Sequence, residues 1–211
     1  DDGARFAVTN PANGELVVEV AKMGGAETAR AIEAASRAMK EWARKPAKAR
    51  AGILRKWFDL LMENQEDLAI IMTTEQGKVL AESRGEIAYG AAFVEWFGEQ
   101  AKRIDGDVIP GPSPDKRIVC IKQPVGVVGA ITPWNFPNAM IARKVAPALA
   151  AGCTIVIKPA SETPLSAFAM AVLAERAGVP AGVLNVVAGG SSEIGSELTS
   201  NPLVRKITFT G

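Results

Sequence analysis

Histidine is absent from all 211 residues. That removes Ser-His-Asp and Cys-His catalysis, imidazole bases and histidine-ligated zinc together, and no metal site is expected. The two cysteines, Cys120 and Cys153, are too few for a disulfide framework or a four-thiolate site, and they point to a reducing compartment. An excess of either charge is missing as well. The 24 Lys and Arg residues face 23 Asp and Glu, which leaves no electrostatic footprint for nucleic acid or an anionic membrane. No apolar run reaches the roughly 18 residues of a membrane span, and Asp1-Asp2-Gly3 begins no signal peptide. A cytoplasmic protein is the expectation. The 48% of hydrophobic residues can fill the core of one large domain or two small ones.

Several nucleotide and nucleophile motifs are missing too. No Gly-x-Gly-x-x-Gly occurs. The Gly77-Lys78 pair is followed by Val79, whereas a phosphate loop needs Ser or Thr there. Gly189-Gly190-Ser191-Ser192 runs into Glu193 where a nucleophile elbow requires glycine. Tyr89, the sole tyrosine, has Phe93 four residues on, so a Tyr-x-x-x-Lys reductase pair is excluded.

What is present divides into two textures. Apolar residues at three- and four-residue spacing predict helices over 26–44 (Ile32, Ala35, Met39, Trp42), 47–62 (Ile53, Trp57, Leu60, Leu61), 66–76 and 82–103 (Ile87, Phe93, Val94, Phe97). Gly77 stands where a helix C-cap prefers glycine. The aromatic residues among these read as core. Asp105-Gly106 and the cluster from Pro110 to Pro114 then break the pattern. Residues 107–109 and 117–122 predict an extended hairpin, which needs a partner because a lone ribbon is marginal. From Val125 onward, short apolar runs at 125–131, 154–157, 184–187 and 206–210 alternate with helical segments at 138–151, 164–177 and 191–199. Strands apolar on both faces and separated by helices predict a parallel α/β sheet, doubly wound and Rossmann-like. The expected division is a helical part (1–104), a hairpin (105–124) and a Rossmann-like part (125–211).

In such a sheet, ligands sit outside the carboxyl ends of the strands. One strand runs into Thr132-Pro133-Trp134-Asn135-Phe136-Pro137, where two prolines fix the backbone around an indole and an amide. Another runs into Lys158-Pro159-Ala160-Ser161-Glu162-Thr163-Pro164. There a lysine can offer three donors to ribose hydroxyls or phosphate. Spacing alone leaves a second reading open, in which both are ordinary proline-stiffened βα connections.

These segments carry a resemblance. Ile131 to Pro137, Pro147 to Cys153, Lys158 to Leu165, Gly178 to Val187 and Phe209-Thr210-Gly211, in this order, are similar to the aldehyde dehydrogenase superfamily over essentially the whole chain. Ala139 to Lys144 and Asn201 to Lys206 resemble its succinate-semialdehyde branch. The resemblance implies oxidation of an aldehyde to an acid with NAD or NADP, through attack by a cysteine thiolate and hydrolysis of a thioester by glutamate-activated water. It implies that the Asn135 amide donates to the developing oxyanion, that Lys158 binds the adenosine ribose, and that Ile131, Thr132, Pro133 and Trp134 line the cofactor. Lys144 matches a lysine near the active centre.

Departures from the family pattern sharpen these expectations. Ser161 stands where many NAD-preferring members carry a glutamate. A carboxylate there repels a 2′-phosphate and a hydroxyl can donate to it, so NADP is expected to be tolerated or preferred. Glu162, next along, could present a carboxylate instead after a small loop shift. Arg143 falls where many relatives have an aromatic residue lining the aldehyde tunnel and semialdehyde enzymes have an arginine for the carboxylate, and Phe136 is a second expected substrate-binding residue. A guanidinium suits a carboxylate through bidentate bonds, so succinate semialdehyde is the expected substrate. Gly211 matches the first glycine of the family's nicotinamide loop. The family nucleophile and base lie beyond it, and neither Cys120 nor Cys153 has the nucleophile's setting. The 211-residue chain alone is therefore expected to be inactive. The alternative is a truncated chain that binds nucleotide or oligomerises without catalysis; a different Rossmann-type oxidoreductase has no supporting motif. The family's dimers and tetramers form through a hairpin like 107–122, and a homo-oligomer is expected.

Overall fold

The computed structural model describes residues 3–211. An antiparallel hairpin, β1 (Arg5–Thr9) and β2 (Leu16–Ala21), opens the chain. Four helices follow: α1 (Gly25–Arg44), α2 (Ala47–Glu63), α3 (Gln65–Gln76) and α4 (Leu80–Gln100). A second hairpin pairs β3 (Asp107–Pro110) with β4 (Arg117–Cys120). The alternating part consists of β5 (Val127–Ile131), α5 (Ala139–Ala150), β6 (Thr154–Lys158), α6 (Leu165–Ala177), β7 (Leu184–Val186), α7 (Ser191–Ser200) and β8 (Val204–Phe209).

The last four strands form one parallel sheet in the order β7-β6-β5-β8. Successive strands step outward from β5, and then the chain returns to β5's other side, the switch that defines a doubly wound layer. Side chains alternate strictly across this sheet. Val128, Ala130, Ile155 and Ile157 face a large core shared with α2 to α6. Val127 and Val156 face a smaller one built with Ile32 and Ala35 of α1 and Ile194 and Leu198 of α7. Because both faces are covered, every residue of β6 is buried. At Gly129 a Cβ would press on Ile207 and Leu198, so α7 packs closely there only because the position is bare.

The helical segment also closes the ends of the sheet's helices. The Trp42 indole donates to the Leu149 carbonyl at 3.2 Å, and Arg50 donates to Ala150 at 3.1 Å. These carbonyls belong to the last turn of α5, where no further helical turn follows to supply donors and Gly152 N gives Leu149 its other partner. Arg50 also reaches the Lys45 carbonyl, just past the end of α1.

The α/β sheet, the four helices and the projecting hairpin match the sequence reading, with small shifts of boundary: α4 starts at Leu80, β5 at Val127 and β8 at Val204. Gly77 and Gly178 are left-handed helix ends, at φ 83° and 101°. The first hairpin is new relative to that reading. Its signal was available in Asn10-Pro11-Ala12-Asn13-Gly14, a turn cluster between alternating apolar residues. Asn10 Oδ1 accepts from Ala12 N and Gly14 takes φ 75°. The second hairpin buries neither strand, and Val108 and Val119 stay 72% and 66% exposed. No helix among the described residues is long and apolar enough to cross a membrane.

Candidate functional site

The strand ends β5, β6 and β8 meet at one edge. Thr132 N donates to the Lys158 carbonyl at 3.1 Å and Thr210 N to the Ile131 carbonyl at 3.1 Å. This lacing fixes where each following loop departs. Ile131 and Lys158 are register partners, so they lie side by side on the face that α1 and α7 cover.

Lys158 is 3% exposed, and its ammonium donates to the Pro159 carbonyl at 3.0 Å. Burial holds its pKa below the usual lysine range, while the Glu162 carboxylate pulls in the other direction. A buried ammonium with a single acceptor has donors left for a ligand. Thr132 adds a buried hydroxyl with no partner among the described residues. Ser161 donates to the Gly189 carbonyl at 3.1 Å, which ties the β6–α6 loop to the segment entering α7. Glu162 is exposed. These polar groups suit a hydroxyl-rich, phosphate-bearing ligand across the edge, so the residues present fit a nicotinamide dinucleotide.

The β5–α5 loop, residues 132–138, exposes Trp134, Asn135 and Phe136, while Pro133 is half-buried. Two features hold it. The Lys78 ammonium donates to the Asn135 carbonyl at 2.9 Å and lies 4.0 Å from the Phe136 ring centroid. Glu86, from α4, accepts from Asn138 N at 2.9 Å and Ala139 N at 3.1 Å, which satisfies the start of α5. Lys78 and Glu86 join at 2.5 Å. The β6–α6 loop is held by a second buried glutamate. Glu75, from α3, accepts from Leu165 N at 2.6 Å, from Ser166 N at 2.8 Å and from the Ser166 hydroxyl at 2.5 Å. Burial pushes its pKa up to about 7 against these donors.

Lys144 is buried on α5 and donates to the Thr210 hydroxyl at 2.5 Å, which fastens α5 to the end of β8. Burial first, and then its neighbour Arg143, lowers its pKa. Arg143 is exposed, with its guanidinium 4.9 Å from the Phe93 ring centroid and an N–H 3.8 Å from Met140 Sδ. The sequence-predicted residues thus fall into separate groups. Ile131, Thr132, Lys158 and Ser161 gather at the strand ends. Asn135 and Phe136 line a 610 Å³ depression with Lys78, Glu86 and Tyr89. Arg143 lines another, of 290 Å³, with Lys144 and Lys206. Gly211 is exposed at the chain's last position.

Lys78, Glu86, Glu75 and Thr210 escaped the sequence reading as site residues. The N–H groups that the glutamates accept from lie 52 to 91 residues away, beyond any local pattern.

A parallel layer in this strand order, with its polar groups at the carboxyl edge and at the switch beside β5, is of the Rossmann type. The chain belongs to the aldehyde dehydrogenase family, whose model matches residues 1–211. It is 66% identical over its whole length to glutarate-semialdehyde dehydrogenase of Pseudomonas aeruginosa, covering 44% of that relative. It is 63% identical to succinate-semialdehyde dehydrogenase [NADP(+)] of Escherichia coli, again covering 44% of it. The crystal structure of succinate-semialdehyde dehydrogenase from Burkholderia pseudomallei superposes with a TM-score of 0.99 at 64% identity, over all of this chain and 44% of that one. The chain therefore spans less than half the length of these relatives.

Proposed function

We propose that this chain supplies the cofactor-binding edge and the oxyanion donor of an NADP-capable aldehyde dehydrogenase that oxidises an aldehyde bearing a distal carboxylate. The observation that carries the reading is the strand-end cluster, where buried Lys158 and Thr132 hold unused hydrogen-bonding capacity within a layer of this family. A dinucleotide held at this edge would supply the hydride acceptor for the oxidation. The chain's own residues do the rest of its part. Lys158 donates to the ribose side of the dinucleotide, and the Ser161 hydroxyl turns from Gly189 toward a 2′-phosphate. Trp134, Pro133 and Ile131 wall the cleft, and Gly211 starts the backbone that borders the nicotinamide. The Asn135 amide donates to the oxyanion formed when a thiolate from outside this chain attacks the carbonyl. A preorganised donor of this kind contributes about 3 kcal/mol to the transition state.

Glutarate and succinate semialdehydes, named for the two relatives, both carry a carboxylate at the far end. Arg143, seated on Phe93, offers the bidentate donor that such a group requires, with Phe136 bordering the path. The β3–β4 ribbon, with its exposed Val108, Val119 and Ile121, docks on a second copy, giving a dimer or tetramer. Both cysteines are unpaired, in keeping with the cytoplasm.

In the assembled enzyme, kcat/KM with succinate semialdehyde is expected to favour NADP+ over NAD+, and a strong preference for NAD+ would overturn the cofactor reading. Arg143→Ala is expected to raise KM for the semialdehyde and spare an uncharged aldehyde. Unchanged semialdehyde turnover would remove Arg143 from the substrate site.

A further inference from the structure

We infer that Lys78 and Glu86 form a positioning pair that sets the orientation of Asn135, so that a contact made from the helical segment governs the oxyanion donor. The inference rests on the proposed role of Asn135. Its physical basis is independent of that role. The pair is nearly dry, with the Lys78 and Glu86 side chains 8% and 1% exposed. It grips the loop at Asn135 and again where the loop enters α5. At Asn135 itself, Lys78 donates to the residue's own carbonyl at 2.9 Å and lies against the next residue's ring, Phe136. Downstream, Glu86 accepts from the N–H groups of Asn138 and Ala139 at 2.9 and 3.1 Å.

Asn135 itself is exposed, on a loop without regular structure. A side chain in that setting points in one direction only if its backbone is fixed. The loop's two prolines do part of this, but Pro133 and Pro137 fix φ at their own positions and leave ψ at Asn135 free. The Lys78 hydrogen bond acts on the carbonyl whose direction that ψ determines. The buried ion pair is therefore attached to a backbone torsion that the prolines do not control. A buried pair is weak as a device for stability, since desolvation offsets its attraction, and better suited to specifying a geometry.

The test is a double-mutant cycle in the assembled enzyme, read as kcat, as KM for aldehyde and NADP+, and as Tm. Lys78→Met is expected to lower kcat on the order of 10- to 100-fold, as displacement of a catalytic group does. KM should stay within about twofold, as loss of an interaction specific to the transition state requires. Lys78→Arg should restore part of the loss, and Glu86→Gln should reproduce it more weakly. In an Asn135→Ala background the Lys78→Met effect on kcat should vanish, because the group being positioned is gone. If Lys78→Met does not fold, Glu86→Gln, which removes the charge that holds Lys78 while keeping the side chain's volume, takes its place in the cycle. Additive losses from Lys78 and Asn135, or an unchanged kcat in Lys78→Met, would overturn the positioning role. An unchanged kcat in Asn135→Ala would instead overturn the proposed role of Asn135.

Discussion

The two βα junctions at the carboxyl edge are built alike and charged differently. Each loop leaves a central strand, is stiffened by proline and enters a helix whose first N–H groups are accepted by a buried glutamate from the helical segment. Glu86 serves α5 and Glu75 serves α6. Glu86 has the Lys78 ammonium at 2.5 Å. Glu75 has hydrogen-bond donors but no cation partner among the described residues, and burial lifts its pKa to about 7. The comparison separates two ways of ending a helix in the interior. With a lysine at hand, the carboxylate becomes one half of a fixed link to the loop. Without one, the same residue becomes a group whose charge depends on pH.

The largest effect should come from breaking the paired junction. Glu86→Ala leaves Lys78 in a dry site without its counter-charge and two N–H groups of α5 without an acceptor. A loss of about 3 to 5 kcal/mol is expected, measurable by urea unfolding. The next comes from the unpaired junction. Glutamate in the unfolded chain releases its proton near 4.5, and Glu75 in the folded chain near 7. Between those values the folded chain keeps a proton that the unfolded chain has lost. Stability therefore falls as pH rises through that window, by about 3 kcal/mol. Unfolding followed from pH 4.5 to 7.5 should show this slope, and Glu75→Gln should flatten it; a Glu86→Gln variant should keep it.

A smaller effect is expected at the opposite end of α5. Arg50→Met removes donors from the Ala150 and Lys45 carbonyls and should cost about 2 kcal/mol, as a charged hydrogen bond does. It lies at the far end from Asn135, so Tm should fall with kcat unchanged. Gly90→Ala should cost least, about 1 kcal/mol, because alanine's better helix propensity offsets part of the overpacking. Its Cβ would meet the Asn138 side chain at the start of α5, so any loss should be smaller in an Asn138→Ala background.

How far these junctions were legible in sequence depends on range. The sheet was readable because its strands are apolar on both faces and its turns are marked by Gly and Pro. Lys158 and Asn135 were readable as polar residues at strand ends within a familiar pattern. Glu75 and Glu86 were not, because a glutamate in a helix ordinarily faces water and nothing local shows that the next layer covers it. Lys78 was noticed only as the wrong ending for a phosphate loop. The first hairpin was overlooked because β1 and β2 bury only Val8 and Val20, too few apolar positions to stand out beside the long helices.

Helix α4 also acts as a calliper. It carries Glu86, which grips the loop of Asn135, and, seven residues later, Phe93, on which Arg143 rests. Seven residues of α-helix span about 10 Å. The two jaws proposed to hold the reacting carbon and the distal carboxylate thus hang from one rigid rod, and the gap between them is a fixed number of helical turns. An insertion or deletion within α4 between Glu86 and Phe93 would reset that gap in steps of a residue's rise and a rotation, while leaving the identity of every residue on the loop and on α5 unchanged.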